Sequence, residues 1–188
     1  MRSHPSDGLF ILTVDENTTL AMIEPRDAEA VFGLVEASRM YLREWLPWVD
    51  GTVSEEDTKA FIGRARQQYA DDNGFQCCIR YKREVVGIIG FHRVDRFHKH
   101  TEIGYWLSEE HQGRGIMTKC CRALVDFAFR EYGLHRVEIR VAVENHKSRA
   151  IPERLGFTYE GTLRESEWLN DHYVDGAVYS LLRDEWDR

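Results

Sequence analysis

The hydrophobic period changes several times along the chain, and each change marks an element. Apolar-rich stretches at Phe10 to Val14 and Leu20 to Ile23 predict two short strands around a turn at Asp15-Glu16-Asn17. Pro25 then opens a helix with Asp27 and Glu29 near its start, and Ala28, Val31, Phe32 and Val35, with Leu34 beside them, form its buried stripe. Ser54, followed by acidic residues, predicts the N-cap of a helix to about Tyr69 that turns Phe61, Ile62, Ala65 and Tyr69 inward. From Gly74 the pattern is that of strands. Phe75 to Tyr81 and Glu84 to His92 read as a hairpin about Lys82-Arg83, with Gly87 and Gly90 marking a bulge or a close backbone approach. A polar connection, Asp95 to His100, leads to a strand from Thr101 to Leu107. Met117, Cys121, Leu124, Val125, Ala128 and Tyr132 then line one face of a long helix that Gly133 ends. Arg136 to Val143 alternates, with Val137, Ile139, Val141 and Val143 on one side. A short helix near Ser148 to Leu155 and two strands, near Thr158 to Glu167 and Val174 to Leu182, complete the pattern.

Strand, glycine turn, helix and strand from Thr101 to Val143 predict two parallel strands, with the turn at the carboxyl end of the first, where such units bind ligands. That turn reads Gln112-Gly113-Arg114-Gly115-Ile116-Met117-Thr118. Two glycines let the backbone approach a ligand, and the unpaired amides and positive end of the following helix suit an anion such as phosphate. An ordinary glycine turn fits the same residues. A P-loop does not, because the spacing and the lysine it needs are missing.

Composition narrows the class. At 188 residues, with 43% hydrophobic and 30% charged residues, the chain predicts one soluble globular domain spanning 1–188. No apolar run is long enough to span a bilayer, and Met1 to Leu9 does not read as a signal peptide. A formal net charge of -7 argues against non-specific nucleic-acid binding and is compatible with an amine-bearing partner. The four cysteines form two adjacent pairs, Cys77-Cys78 and Cys120-Cys121, which face apart and predict neither a disulfide nor a metal clip. They read as core residues of a cytoplasmic protein. His98-x-His100 lacks a matching third ligand, so no metal is expected. Trp45 and Trp48, in the aromatic-dense stretch Tyr41 to Val49, read as core or as the wall of a substrate pocket.

Gln112-x-x-Gly115-x-Met117, Asn145-x-x-Ser148 and Glu167-Trp168-Leu169-Asn170, in that order, resemble motifs of the GNAT N-acetyltransferases, in particular their RimJ/RimL-like branch of ribosomal-protein N-terminal acetyltransferases. The first is Gln112-x-x-Gly115-x-Met117, similar to the family's acyl-CoA pyrophosphate loop, Gln/Arg-x-x-Gly-x-Gly/Ala. Met117 departs from the general pattern in a way common in that branch. The second is Asn145-x-x-Ser148 with Glu153-Arg154-Leu155-Gly156-Phe157 and Glu160-Gly161, and the third is Glu167-Trp168-Leu169-Asn170 with Tyr173-x-Asp175 and Tyr179-Ser180-Leu181-Leu182. The resemblance covers nearly the whole chain. It implies an α/β fold with a mixed, mainly antiparallel twisted sheet, one splayed parallel pair and flanking helices. It further implies acetyl transfer from acetyl-CoA to a primary amine by direct attack, without an acyl-enzyme. The acceptor would be a protein N-terminal α-amino group, with a small cationic amine as the rival and a weakly active acyl-CoA-binding module as a second rival. The resemblance leaves monomer and homodimer open.

The resemblance also assigns residues. The amides of Gly113, Arg114, Gly115, Ile116, Met117 and Thr118 would hold the pyrophosphate, with Gln112 in the same loop. The backbone near Trp106 and Leu107 would pair with pantetheine, and an N–H near Leu107 would polarise the thioester carbonyl. Asn145 would help hold pantetheine, Ser148 would be the general acid at the sulfur, and Glu167 the general base. Glu102, Glu160 and Glu165 are rival carboxylates. Ser148 is contested by Pro152: a helix capped by Ser148 accommodates the proline cheaply but commits the hydroxyl, whereas one starting near Asn145 places the proline where it kinks the helix.

Overall fold

The computed structural model describes residues 10–186, so the reading of Met1 to Leu9 lies outside the described residues. Eight strands form one sheet: β1 (Ile11–Thr13), β2 (Thr18–Met22), β3 (Phe75–Tyr81), β4 (Glu84–Asp95), β5 (His100–Leu107), β6 (Arg136–Ala142), β7 (Thr158–Leu169) and β8 (His172–Leu182). Their order is β1-β2-β3-β4-β5-β6-β8-β7, and every neighbouring pair is antiparallel except β5 and β6. This is the mixed, mainly antiparallel sheet that was expected.

Helices cover both faces. On one lie α1 (Ala28–Ala37) and α3 (Glu55–Ala70), where Val31, Ile62 and Ala65 pack on Cys78 and Ile88. On the other lie α4 (Ile116–Arg130) and α5 (His146–Arg154), whose Leu124, Val125, Phe129 and Ile151 join Phe75, Cys77, Ile89 and Phe91 in the larger core. Two short helices, α2 (Arg39–Arg43) and α6 (Arg183–Trp186), complete the set among the described residues. Cys77 and Cys78 therefore enter opposite cores, as the period of a strand requires. All four cysteines are free and buried, and burial raises their thiols, that of Cys120 to about 12. Among the described residues no helix is long and apolar enough to cross a membrane.

Local sequence explains most boundaries. Ser54 caps α3 by accepting from the Asp57 N–H at 3.3 Å, while Asp57 accepts from the Ser54 N–H at 2.9 Å. Pro25 opens a single 3₁₀ turn before α1, a slower entry than the helix predicted at that residue. Gly87 and Gly90 are close approaches: a Cβ there would strike the Trp106 and Phe75 carbonyl oxygens. The parallel pairing is the decisive feature for function. It holds only at His100↔Arg136, Thr101↔Val137 and Glu102↔Glu138, after which β5 runs on to Leu107 and β6 to Ala142 without partnering each other. The strands splay, leaving a gap in the middle of the sheet.

Candidate active site

Two clefts meet at this gap. The first, of about 1000 Å³, is lined by Trp106, Leu107, the whole run Gln112 to Thr118, Asn145 and Ser148, together with Tyr41, Lys147 and Arg154. The ten residues expected to bind the cofactor, and Ser148, thus line one cavity. The second, of about 1070 Å³, lies on the α1 and α3 side and is lined by Trp48, Phe61, Arg64, His92, Glu102, Arg140 and Glu167 among others. Trp45, Leu46, Tyr105, Trp106, Asn145 and Ser148 belong to both walls. Trp45 and Trp48 are therefore pocket wall, and Trp48 packs its ring 5.9 Å from that of Trp106.

The first cleft fits a phosphorylated acyl carrier. Gly113 and Gly115 have φ of 72° and 73°, the left-handed region that favours glycine, and a Cβ on either would meet nothing within 4 Å. They leave an open cradle at the N-terminus of the 15-residue α4, whose first amides lack helical partners. The side chains of Ile116 and Met117 are buried in the core, so these two residues offer a ligand only their backbone. In a chain of net charge -7, this cleft is lined by Arg114, Lys147 and Arg154 against Glu109 as the one carboxylate. Lys147 donates to Gln112 Oε1 at 3.1 Å and Arg154 to Thr118 Oγ1 at 3.3 Å, fastening α5 to the loop. The Ser108 N–H donates to the Val86 carbonyl at 2.9 Å. Because strand amides alternate in direction, the Leu107 N–H turns the other way, toward the gap.

Asn145, rather than Ser148, caps α5. The helix starts at His146, and Asn145 Oδ1 accepts from the Ser148 N–H at 3.2 Å. The Ser148 hydroxyl is not spent on the cap, and Pro152 sits inside the helix. Of the two starts that the sequence left open, the structure has the earlier one.

Glu167 reaches the second cleft through an irregularity in β7. Register shifts between Leu163 and Glu167, with Glu165 at φ 47° inside the bulge. The Glu165 N–H donates to Asp175 Oδ1 at 2.7 Å, and Gly176 makes room for Ser166, whose Oγ would lie 2.6 Å from a Cβ there. Burial, and then the negative charge of Glu102, raise the Glu167 carboxyl above the usual range, while the charge of His92 pulls it back. His92 Nδ1 lies 3.4 Å from Glu102 Oε1, and Arg140 Nε lies 3.5 Å from Glu102 Oε2. Gly104 seats the imidazole: a Cβ at that position would collide with the His92 ring. Among the rivals, Glu102 shares the cleft, whereas Glu165 does not line it. Glu160 lies elsewhere, paired to Arg136 at 2.7 and 2.6 Å and accepting from Ser180 Oγ at 2.7 Å, and these partners hold it down to about 2.

Several lining residues had no role in the sequence reading. Lys147 and Arg154 carried a signal, since their spacing of seven puts both on one face of α5. Arg140 and Tyr105 carried none, because their positions depend on pairing between distant strands. His98 and His100 stack with ring centroids 6.4 Å apart and line neither cleft.

Residues 17–158 match the model of the acetyltransferase (GNAT) domain family. A Bacillus subtilis (strain 168) protein named "Putative ribosomal N-acetyltransferase YdaF" is 39% identical over 180 residues, 95% of this chain and 98% of that one. The ribosomal-protein-serine acetyltransferase of Escherichia coli (strain K12) is 31% identical over 173 residues, 92% of this chain and 97% of that one. Among solved structures, a RimL ribosomal L7/L12 α-N-protein acetyltransferase in complex with coenzyme A superposes with a TM-score of 0.90 at 28% identity, covering 94% and 99% of the two chains. The chain belongs to the GNAT acetyltransferase family, in its RimJ/RimL-like branch, and is an acetyl-CoA-dependent N-acetyltransferase.

Proposed function

We propose that the chain, acting as one cytoplasmic domain, acetylates a protein N-terminal α-amino group, with a ribosomal protein as the acceptor class. The observation that carries this reading is the position of Glu167, which with Glu102 lines a cleft that shares Ser148 and Asn145 with the cofactor cleft. Acceptor chemistry follows from the second cleft's charge. Arg64 and Arg140 stand among Asp57, Glu102 and Glu167, a mixed lining that suits a peptide N-terminus better than a polycation. An α-amino group, with pKa near 8, also needs less help to lose its proton than a lysine side chain. The names of the two relatives and of the RimL structure point the same way.

Acetyl-CoA supplies an acyl carbon activated as a thioester. The amides of Gly113 to Thr118, with Arg154 and Lys147 beside them, hold its phosphates. Asn145 commits its oxygen to the α5 cap, leaving its carboxamide N–H groups for pantetheine. The Leu107 N–H polarises the thioester carbonyl. Glu167 takes the proton from the acceptor nitrogen, directly or through one water, as the C–N bond forms. Ser148 gives its hydroxyl proton to the sulfur as the C–S bond breaks and takes one back from solvent.

CoA release tests the reading, measured with peptides of differing first residue, with spermidine and with an aminoglycoside. Peptides should turn over best, and Glu167→Gln should lower kcat about 100-fold, the scale of a lost general base. Ser148→Ala should lower kcat less, with the loss varying across the pH range. Full turnover by Glu167→Gln removes the base assignment, and preference for spermidine removes the acceptor. Binding of CoA without release against any amine would make the protein an acyl-CoA-binding module.

A further inference from the structure

Inside α5 one carbonyl has lost its helical partner. In an unbroken α-helix the Ser148 carbonyl accepts from the N–H four residues on, and residue 152 is a buried proline, which has none. Instead the Tyr105 hydroxyl donates to that carbonyl at 3.0 Å. Tyr105 stands on β5 three residues past Glu102, where β5 has parted from β6. The bond therefore spans the gap, from the strand that faces acetyl-CoA to the first turn of the helix that carries Ser148 and is capped by Asn145. Burial pushes the Tyr105 phenol well above its usual range, so it keeps its proton and remains a donor.

We propose that Tyr105 is a positioning residue of the cofactor cleft, whose hydroxyl replaces the N–H that Pro152 lacks and ties the Asn145–Ser148 turn to β5. The inference rests on the proposed roles of Asn145 and Ser148 only for its catalytic consequence; the tether itself rests on the tyrosine, the carbonyl and the proline. One donor stands in for another. Pro152→Ala restores the N–H at residue 152 and makes the tyrosine hydroxyl redundant.

A double-mutant cycle in the full-length protein provides the test, read in the CoA dissociation constant by calorimetry and in kcat. Tyr105→Phe should weaken CoA binding and lower kcat by about tenfold, the scale of one buried carbonyl left unpaired. Pro152→Ala alone should change neither by more than about twofold, and the double variant should match Pro152→Ala. Equal losses in both backgrounds, or a folded Tyr105→Phe that binds CoA as the parent does, would overturn the proposal. Should Tyr105→Phe fail to fold alone, the double variant is compared with Pro152→Ala: parity supports the tether, and a tenfold deficit ends it. Ser148→Ala in the same assays keeps the two readings apart. Full turnover there removes the acid role of Ser148 and leaves coupling between positions 105 and 152 in CoA binding to stand or fall independently.

Discussion

Substituting alanine for Gly104 should displace His92 and thereby move the acid limb of the pH–rate profile. The three atoms nearest the added Cβ all belong to the His92 imidazole, the closest of them 1.9 Å away. The backbone itself accepts alanine, since Gly104 is not among the residues of positive φ. His92 is free to swing away, because its side chain is 55% exposed and its partner Glu102 is 29% exposed. Losing this pair costs no more than about 1 kcal/mol, and the stiffer alanine offsets about 0.4–1 kcal/mol by restricting the unfolded chain. The melting temperature should therefore move by no more than about 4 °C for a chain of this size. Catalysis should respond more visibly. A base must be ionised, so a raised carboxyl makes kcat/KM fall at a higher pH than an ordinary glutamate would. The charge of His92 pulls the Glu167 carboxyl down, and removing it leaves burial and Glu102 to push upward. The acid limb of Gly104→Ala should shift to higher pH, that of His92→Gln should shift the same way, and that of Glu102→Gln should shift to lower pH. The assay is CoA release against pH at saturating acetyl-CoA. A Gly104→Ala profile that overlays the parent while His92→Gln shifts would refute the seating argument. A melting temperature lowered by about ten degrees or more, well beyond the shift expected for a chain of this size, would show that the alanine strains more than a movable ring.

Two further outcomes concern a peripheral ion pair and two glycines of positive φ at either end of α4. Glu160→Gln should lower stability at neutral pH by roughly 1 kcal/mol after discounting for its 40% exposure, and leave kcat within about twofold. Because Arg136 and Ser180 hold Glu160 down to about 2, this stability is present above the unfolded carboxyl's ordinary value of about 4.5. It fades as pH falls from there toward 2, so chemical denaturation at about pH 7 and about pH 3 should show the gap between variant and parent closing. Gly115→Ala forces a side chain into the left-handed region at φ 73° and should cost about 1–2 kcal/mol, with a higher KM for acetyl-CoA. Gly133→Ala, at φ 63° but lining neither cleft, should cost as much and leave that KM alone, and equal KM values for the two would remove the cradle.

The elements were legible because their causes are local. Ser54 caps α3 with Asp57 three residues on, and the apolar stripe of α4 gave its inner face. The loop from Gln112 to Thr118 was equally legible, since positive φ at Gly113 and Gly115 needs only the glycines themselves. Composition left the character of the cofactor cleft hidden: a chain of net charge -7 gathers three cations around it.

By itself, then, the sequence determined most of the strands and helices, α2 and α6 excepted, and singled out the glycine loop that we propose cradles an anion. Only the tertiary structure decided what stands opposite what. The parallel pair stops at Glu102↔Glu138, the bulge in β7 turns Glu167 into the second cleft, and Tyr105 supplies the donor that Pro152 withholds. The physical reason is the range of the interactions. Period, capping and backbone preference act over a few residues, whereas register, splay and the field on a carboxylate arise between strands far apart in the chain.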